Sequence, residues 1–419
     1  MGSIKYTIID VLKTNRFGKL IYKSLKRHLA NNGIKMSDLN DVIPEVEAGD
    51  EVRYNIVLPT LRKTKVFGGI LTALKIFNLL LSYTSVNARI IVVLNEKYSF
   101  KHTFSVDGFG YGDKYDNQIV YLTQLEKLPV RKNDVFMFTN WRTAYLMMPV
   151  LNWQIKHYNL ENRKVIYLIQ DYEPGFFPWS TEYLLAESTY KTNPENIIAL
   201  YNSKELCEFF KTKGYKFYEH YYFEPFLNEE LKKCLLTSKN NERKKQILIY
   251  GRPSEHRNAF EIIKGALAIW SRQCPNAKEW SIISLGEDYE NFKLENNEVK
   301  VLGKVSLKEY ADILMTTYAG ISLMVSPHPS YPPLEMSTFG VKTITNTFEN
   351  KNLQYFNNNI ISIENCSPRE IANKLLEICD EFKVSESECN IDCDYVTCKN
   401  FDKIIKEIGI IVNEMVEKN

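Results

Sequence analysis

Two carboxylates and three cations stand in this chain where strand-to-helix turns would place them in one cleft. The stretch Ser326-Pro-His-Pro-Ser-Tyr-Pro-Pro-Leu-Glu335 follows the apolar run Ala319–Val325. Its prolines stiffen the loop, and Pro332 and Pro333 suit the first turn of a helix, where missing N–H groups cost nothing. Glu335 is therefore expected just inside a helix, beside free N–H groups and at the carboxyl end of a strand. Open α/β sheets bind ligands at such a place. An ordinary helix-start acid would produce the same pattern, so the other residues must decide.

The cations follow the same logic. Tyr250-Gly251-Arg252-Pro-Ser-Glu-His-Arg257 reads as a strand, a glycine turn and a helix start, and Lys304 follows Gly303 at another strand end. Guanidinium groups match phosphate oxygens in a bidentate fashion, so Arg252, Arg257 and Lys304 on one rim suggest a diphosphate site. Singly, each is an ordinary surface cation. Gly68-Gly69 opens a further helix after the strand Tyr54–Leu58 and would let backbone approach an anion. The spacing is neither that of a dinucleotide fold nor that of a P-loop.

A second acidic turn follows the run Lys164–Ile169: Gln170-Asp171-Tyr172-Glu173-Pro-Gly-Phe-Phe-Pro-Trp179. Acids that can hold hydroxyls, followed by rings that can stack on an apolar sugar face, suggest a sugar site. Asp171 is expected to face Glu335, with Trp141, at the end of Asp134–Phe138, lining the same side. Aromatics that merely close a domain edge are the alternative.

These turns require two sheets. Short β-branched runs alternate with helical patterns from residue 54 onward, the signature of parallel sheets covered by helices. One set comprises Tyr54–Leu58, Ala88–Leu94, Asp134–Phe138, Lys164–Ile169 and Asn196–Tyr201. The other comprises Gln246–Tyr250, Trp280–Ser284, Val299–Leu302, Ile321–Val325 and Val341–Thr345. Leu227–Lys245 between them reads as a linker. The boundaries expected are a basic helical extension over 1–49, a first domain over 50–230, a second over 231–395, and a final helix over 396–419 that packs back on the first domain. The 419 residues suit two domains of ordinary size.

A net charge of +2 with 25% charged residues gives no global argument for nucleic acid. The eight cysteines are scattered, and Cys389, Cys393 and Cys398 fit no zinc template. The start lacks a signal-peptide core, and the apolar stretch from Gly69 to Ser85 is too short to span a bilayer, so a cytoplasmic protein is expected. Residues 1–35 carry eight Lys and Arg against Asp10 alone, and on a helix their apolar residues share one face. Such a helix either lies on an anionic membrane surface at the inner face of the cell membrane or packs on the first domain.

The Gly-Gly loop, the Gly-Arg turn with a cation five residues on, and Pro-Leu-Glu-Met-x-x-x-Gly resemble the retaining, nucleotide-sugar-dependent glycosyltransferases of the GT-B fold. Gln170-Asp-Tyr-Glu-Pro-Gly-Phe, Tyr250-Gly-Arg-Pro and Ser326-Pro-His-Pro-Ser-Tyr-Pro-Pro-Leu-Glu resemble, more closely, bacterial rhamnosyltransferases of S-layer and related surface glycans. The resemblance implies two Rossmann-like doubly wound α/β domains facing a central cleft, no metal and no other cofactor. It implies dTDP-β-L-rhamnose as donor in the second domain and a glycan acceptor, lipid-linked or free, in the first. Arg252, Arg257, Lys304, Gly303, Tyr331, Gly68 and Gly69 would then serve the donor; Tyr172, Glu173 and Trp141 would serve the acceptor; Asp171 and Glu335 would stand at the reaction centre. The family's Glu-x7-Glu motif is half present, since Pro327 occupies the place of the first glutamate. A glycosyltransferase with another nucleotide-sugar donor, a glycoside hydrolase using Asp171 and Glu335, and a nucleotide-sugar or glycan-binding protein without catalysis are the rival readings.

Overall fold

The computed structural model describes residues 39–61, 68–83, 86–93, 114–115, 118–237, 242–384, 389–391, 393–397 and 400–418. The basic segment 1–35 lies outside them.

The first domain is a seven-stranded parallel sheet. Its strands in spatial order are β4 (Ile119–Tyr121), β3 (Asn87–Val92), β2 (Arg53–Leu58), β6 (Asp134–Phe138), β7 (Val165–Ile169), β8 (Ile197–Tyr201) and β9 (Glu219–Tyr222). A separate parallel pair joins β1 (Pro44–Val46) to β5 (Leu128–Val130). β2, β6, β7 and β8 are buried at every residue because helices cover both faces, which is why their sequences run apolar rather than alternating. The strand order reverses between β2 and β6, so the crevice of this domain opens at Pro59 and at Thr139–Asn140. Asn140 caps the helix Trp141–Tyr158: its side chain accepts from the Thr143 amide at 3.0 Å, and the Thr143 hydroxyl accepts from the Asn140 amide.

The second domain repeats the plan. Its order is β12 (Phe292–Lys293), β13 (Glu298–Gly303), β11 (Ser281–Gly286), β10 (Lys244–Gly251), β14 (Thr317–Ile321), β15 (Lys342–Asn346) and β16 (Ile360–Ile363), with only β12 antiparallel. The reversal here falls between β10 and β14. β10 ends directly before the Arg252 turn, and β14 leads through Ser322–Val325 into the proline-rich loop.

Three local expectations change. The paired part of β14 is Thr317–Ile321, not Ile321–Val325: Ser322–Val325 runs on extended, held by Asn346 and Arg257 instead of a full ladder. The proposed linker contains the helix Glu229–Thr237, whose Leu231 and Leu235 bury into the second domain's core together with Leu227. The short strands β4, β9, β12 and β16 had no apolar pattern long enough to read; β9 is Glu-His-Tyr-Tyr at a sheet edge.

The chain then returns to the first domain. Ile405, Ile408, Val412 and Val416, spaced for one helical face, pack the helix Phe401–Glu417 against Gly68–Ser82. Asn413 accepts a 2.6 Å hydrogen bond from the Tyr54 hydroxyl, and Phe401 meets Phe223 and Phe226 edge-on and tilted.

Candidate active site in the interdomain cleft

Three adjacent strands of the second domain end on glycine at the same level. Gly251 pairs with Gly286, and Leu285 beside it pairs with Gly303, so β10, β11 and β13 end side by side on glycine. Gly286 and Gly303 sit at φ 114° and 66°, where a side chain is strained, and a methyl on Gly251 would stand 2.6 Å from the Ser284 and Tyr289 oxygens. Gly286 escaped the sequence reading; a third glycine at an apolar strand end was the available signal. Arg252 and exposed Lys304 follow this shelf directly. Arg252 forms a 3.3 Å pair with Glu255, and both side chains are well exposed, so little energy opposes their separation by an anionic ligand.

Arg257 does not share that rim. Its Nη1 donates to Asp171 Oδ2 at 2.7 Å across the cleft, and its guanidinium lies 3.8 Å above the Phe176 ring. The expected cation trio is thus a pair, Arg252 and Lys304, with Arg257 joining the two domains. Asp171 is engaged on its other oxygen by the Ser326 hydroxyl and by the Tyr172 amide. Its hydrogen-bond partners are therefore Arg257, Ser326 and the Tyr172 amide, not Glu335.

Ser326 begins a loop that is unusually well fixed. Its hydroxyl accepts from the His328 amide at 3.0 Å, and His328 Nδ1 accepts from the Ser330 amide at 3.0 Å. The imidazole proton consequently resides on Nε2. His328 is 6% exposed; burial pushes its pKa down to about 4, so the ring is neutral, and Nε2–H has no acceptor among the described residues. A buried donor left unmade costs about 1–3 kcal/mol, which a ligand oxygen would recover. Lys351 anchors the same loop from beneath. Fully buried, it donates to the Met324 carbonyl at 2.7 Å, and burial pushes its pKa down to about 8. Neither His328 nor Lys351 was singled out from sequence, because a lone His or Lys has no pattern until the fold encloses it. Ser330 turns the chain at φ 71° into the helix Tyr331–Thr338.

Pro332 and Pro333 do occupy the first turn, but Glu335 lies in the second, beyond the free N–H groups. A helix terminus therefore does not explain its state. Burial pushes the Glu335 pKa up to about 7, partly offset by the Tyr310 hydroxyl, and Tyr250, Tyr331 and Tyr395 also feel its charge. Burial raises the Tyr331 pKa to about 12, and the Asn202 side chain of the first domain meets its hydroxyl. Arg243 clamps this helix by donating to the Phe339 carbonyl, while its Nη1 holds the carbonyls of Leu314 and Thr317.

Opposite, at the switch point of the first sheet, a cavity of about 300 Å³ is lined by Gly69, Asn140, Gln170, Asp171, Glu173 and Phe176. Gly69 is needed for close approach: a methyl there would meet Gln170 Oε1 at 3.2 Å, whereas one on Gly68 would point into open space. Glu173 accepts from the Trp141 amide at 2.5 Å, yet burial and nearby Asp171 push its pKa up to about 8. Trp141 thus contributes its backbone; its ring is buried edge-on to Phe177. Tyr172 turns away from the cavity into a cluster with Tyr190, Phe209, Phe210 and Tyr215. Among the described residues no cluster of His, Cys, Asp or Glu has the makings of a metal site.

Two wound domains with their strand ends turned toward one cleft define the GT-B glycosyltransferase fold. HepE of Anabaena, solved with UDP-glucose, superposes with a TM-score of 0.50 at 12% identity over 88% of this chain and 99% of that one, and its complex with UDP gives the same score. The chain belongs to the WsaF family: residues 53–204 match the WsaF N-terminal domain and 245–376 the WsaF C-terminal domain. Over 213 residues it is also 29% identical to the O-antigen biosynthesis protein RfbC of Myxococcus xanthus; the match covers 51% of this chain and 15% of that protein.

Proposed function

We propose that this protein is a retaining glycosyltransferase of cell-surface glycan assembly, moving L-rhamnose from dTDP-β-L-rhamnose to a growing glycan. The observation that carries the reading is the glycine shelf with Arg252 and Lys304 beyond it, facing a carboxylate-lined cavity in the other domain. Membership in the WsaF family and the O-antigen role named for RfbC support it, as does the UDP-glucose bound by HepE. The donor's base and sugar rest on the resemblance of the motifs.

In this reading Arg252 and Lys304 take the diphosphate charge that a metal neutralises elsewhere. Glu335 and Tyr331 orient the nucleotide and donor sugar, and the His328 Nε2–H finds its acceptor on the donor. As the bond between C1 and the phosphate oxygen breaks, the acceptor oxygen closes on the same face and its proton passes to the departing phosphate. Asp171, placed by Arg257 and Ser326, positions the acceptor; protonated Glu173 can donate to it. Positioning and electrostatics supply the catalysis. A hydrolase reading is less favoured, because Asp171 is engaged by Arg257 and Ser326.

Acceptor-dependent release of dTDP from dTDP-rhamnose tests the proposal; glycan cleavage without nucleotide would defeat it, and tight dTDP binding without turnover would leave a binding protein. Arg252→Ala removes charge-assisted contacts worth about 1.5–3 kcal/mol and is expected to weaken dTDP binding about tenfold or more in calorimetry. Unchanged affinity would exclude the diphosphate role.

Among the described residues no helix is long and apolar enough to cross a membrane. For residues 1–35 we propose a peripheral contact with anionic lipid. Deleting them is expected to reduce sedimentation with anionic vesicles while leaving dTDP binding intact, and equal sedimentation would return the segment to a packing role.

A further inference from the structure

Trp179 is 94% exposed, the most open large apolar side chain among the described residues. Its backbone lies at φ 47°, a conformation that costs a bulky residue about 1–3 kcal/mol and persists where the surroundings or a function require it. The indole stacks on Tyr183 with centroids 5.8 Å apart and planes 21° from parallel. Tyr183 is itself fixed. Its amide donates to the Ser180 cap, and its hydroxyl meets that of Tyr172, which meets Tyr215, which donates to Glu187 at 3.2 Å. The result is an exposed indole stacked on a ring that a relay of hydroxyls, ending at a carboxylate, holds in place.

The place of this pair restricts its partner. Phe176 lines the cavity beside Asp171, and Trp179 is three residues on, at most about 11 Å of chain at 3.8 Å per step. Two ring faces are far smaller than the ~800 Å² per partner of a stable protein interface, but they match the apolar face of a sugar ring. We propose that Trp179 and Tyr183 form a carbohydrate-stacking subsite for a glycan residue distal to the one being extended. The inference rests on the first-domain cavity being the acceptor side. It also gives Tyr172 a task as a positioning residue beneath the platform rather than a contact in the cavity.

The test compares the full chain with Trp179→Ala and Trp179→Phe, using L-rhamnose oligosaccharides from mono- to hexasaccharide as probes in calorimetry. Wild-type affinity should rise with chain length. Trp179→Ala should lose that rise, weakening hexasaccharide binding about tenfold, while monosaccharide and dTDP binding stay unchanged. Trp179→Phe should recover most of the loss, which a merely structural role for the indole would not require. An equal rise with length in Trp179→Ala, or no rise in wild type, overturns the subsite. Length-dependent binding lost in Trp179→Ala without any rhamnosyl transfer would keep the subsite and remove the transfer reading.

Discussion

Replacing Asp134 with Ala is expected to lower the unfolding free energy by about 3–5 kcal/mol, the usual cost of breaking a buried ion pair from one side. Asp134 is fully buried at the start of β6, at the opposite end of the sheet from the cleft. It accepts from Arg53 Nε at 2.7 Å and Nη2 at 2.8 Å, from the Arg131 amide at 2.9 Å, from Asn55 at 3.1 Å and from Arg89 at 3.3 Å. Burial alone would raise its pKa, but these donors hold it below the usual carboxylate range. The two guanidiniums respond oppositely. Direct bonds to Asp134 and Glu47 outweigh burial at Arg53 and raise its pKa, whereas burial and neighbouring cations bring Arg89 down to about 10. Alanine would leave both cations buried around a void. Because the folded pKa of Asp134 lies below the unfolded value of about 3.9, its contribution is complete above that pH and lost as pH falls through the folded value. Chemical denaturation at pH 7 and pH 3 should therefore show the Asp134→Ala deficit shrinking in acid. A deficit below about 1 kcal/mol at pH 7 would show that the network contributes little. Nucleotide affinity of the folded variant should be unaltered, since the cleft is at the other end of the strands.

Glu335→Gln is expected to act in the opposite direction on stability. The folded pKa of about 7 exceeds the unfolded value of about 4.3, so the folded state binds more protons between them. Stability contributed at this site therefore falls as pH rises through that window, and the full penalty is in force above pH 7. At about 1.36 kcal/mol per pKa unit it amounts to about 4 kcal/mol. Glutamine keeps the shape and removes the charge, so the variant should melt above wild type at pH 8 and level with it at pH 4. dTDP binding should weaken about ten- to a hundredfold if the carboxylate accepts from ligand hydroxyls, as hydrogen bonds to charged groups are worth about 1.5–3 kcal/mol. Calorimetry with and without dTDP separates the two effects. A glutamine variant less stable at pH 8 would show that the tyrosine surroundings stabilise the anion. A stabilised variant with full affinity would remove Glu335 from the donor site.

The division of the chain into two wound sheets was legible because a parallel strand buried on both faces must be an apolar run, and the helices between must carry a 3.6-residue stripe. Ile247–Ile249 and Ile197–Tyr201 are such runs. Edge strands lack that burial, which is why Glu219–Tyr222 and Ile360–Ile363 left no clear trace. Helix starts were partly legible: Pro332 and Pro333 marked the first turn, but the exact turn holding Glu335 depended on Ser330 adopting φ 71°, a backbone state that sequence does not require of serine.

The sequence by itself determined the kinds of group available at each strand end, because local rules bind glycine, proline and capping residues to their turns. Arg252, Lys304 and Glu173 were readable on that basis. Pairing across the cleft was not. Asp171 meets Arg257 from 86 residues away and Ser326 from 155, Tyr172 leaves the cavity for an aromatic cluster, and His328 acquires an unmatched donor only once enclosed. These outcomes depend on how the two sheets abut and on which groups the junction dehydrates. Charge partners and pKa are properties of the shared, water-poor space, and no spacing along one strand specifies that space.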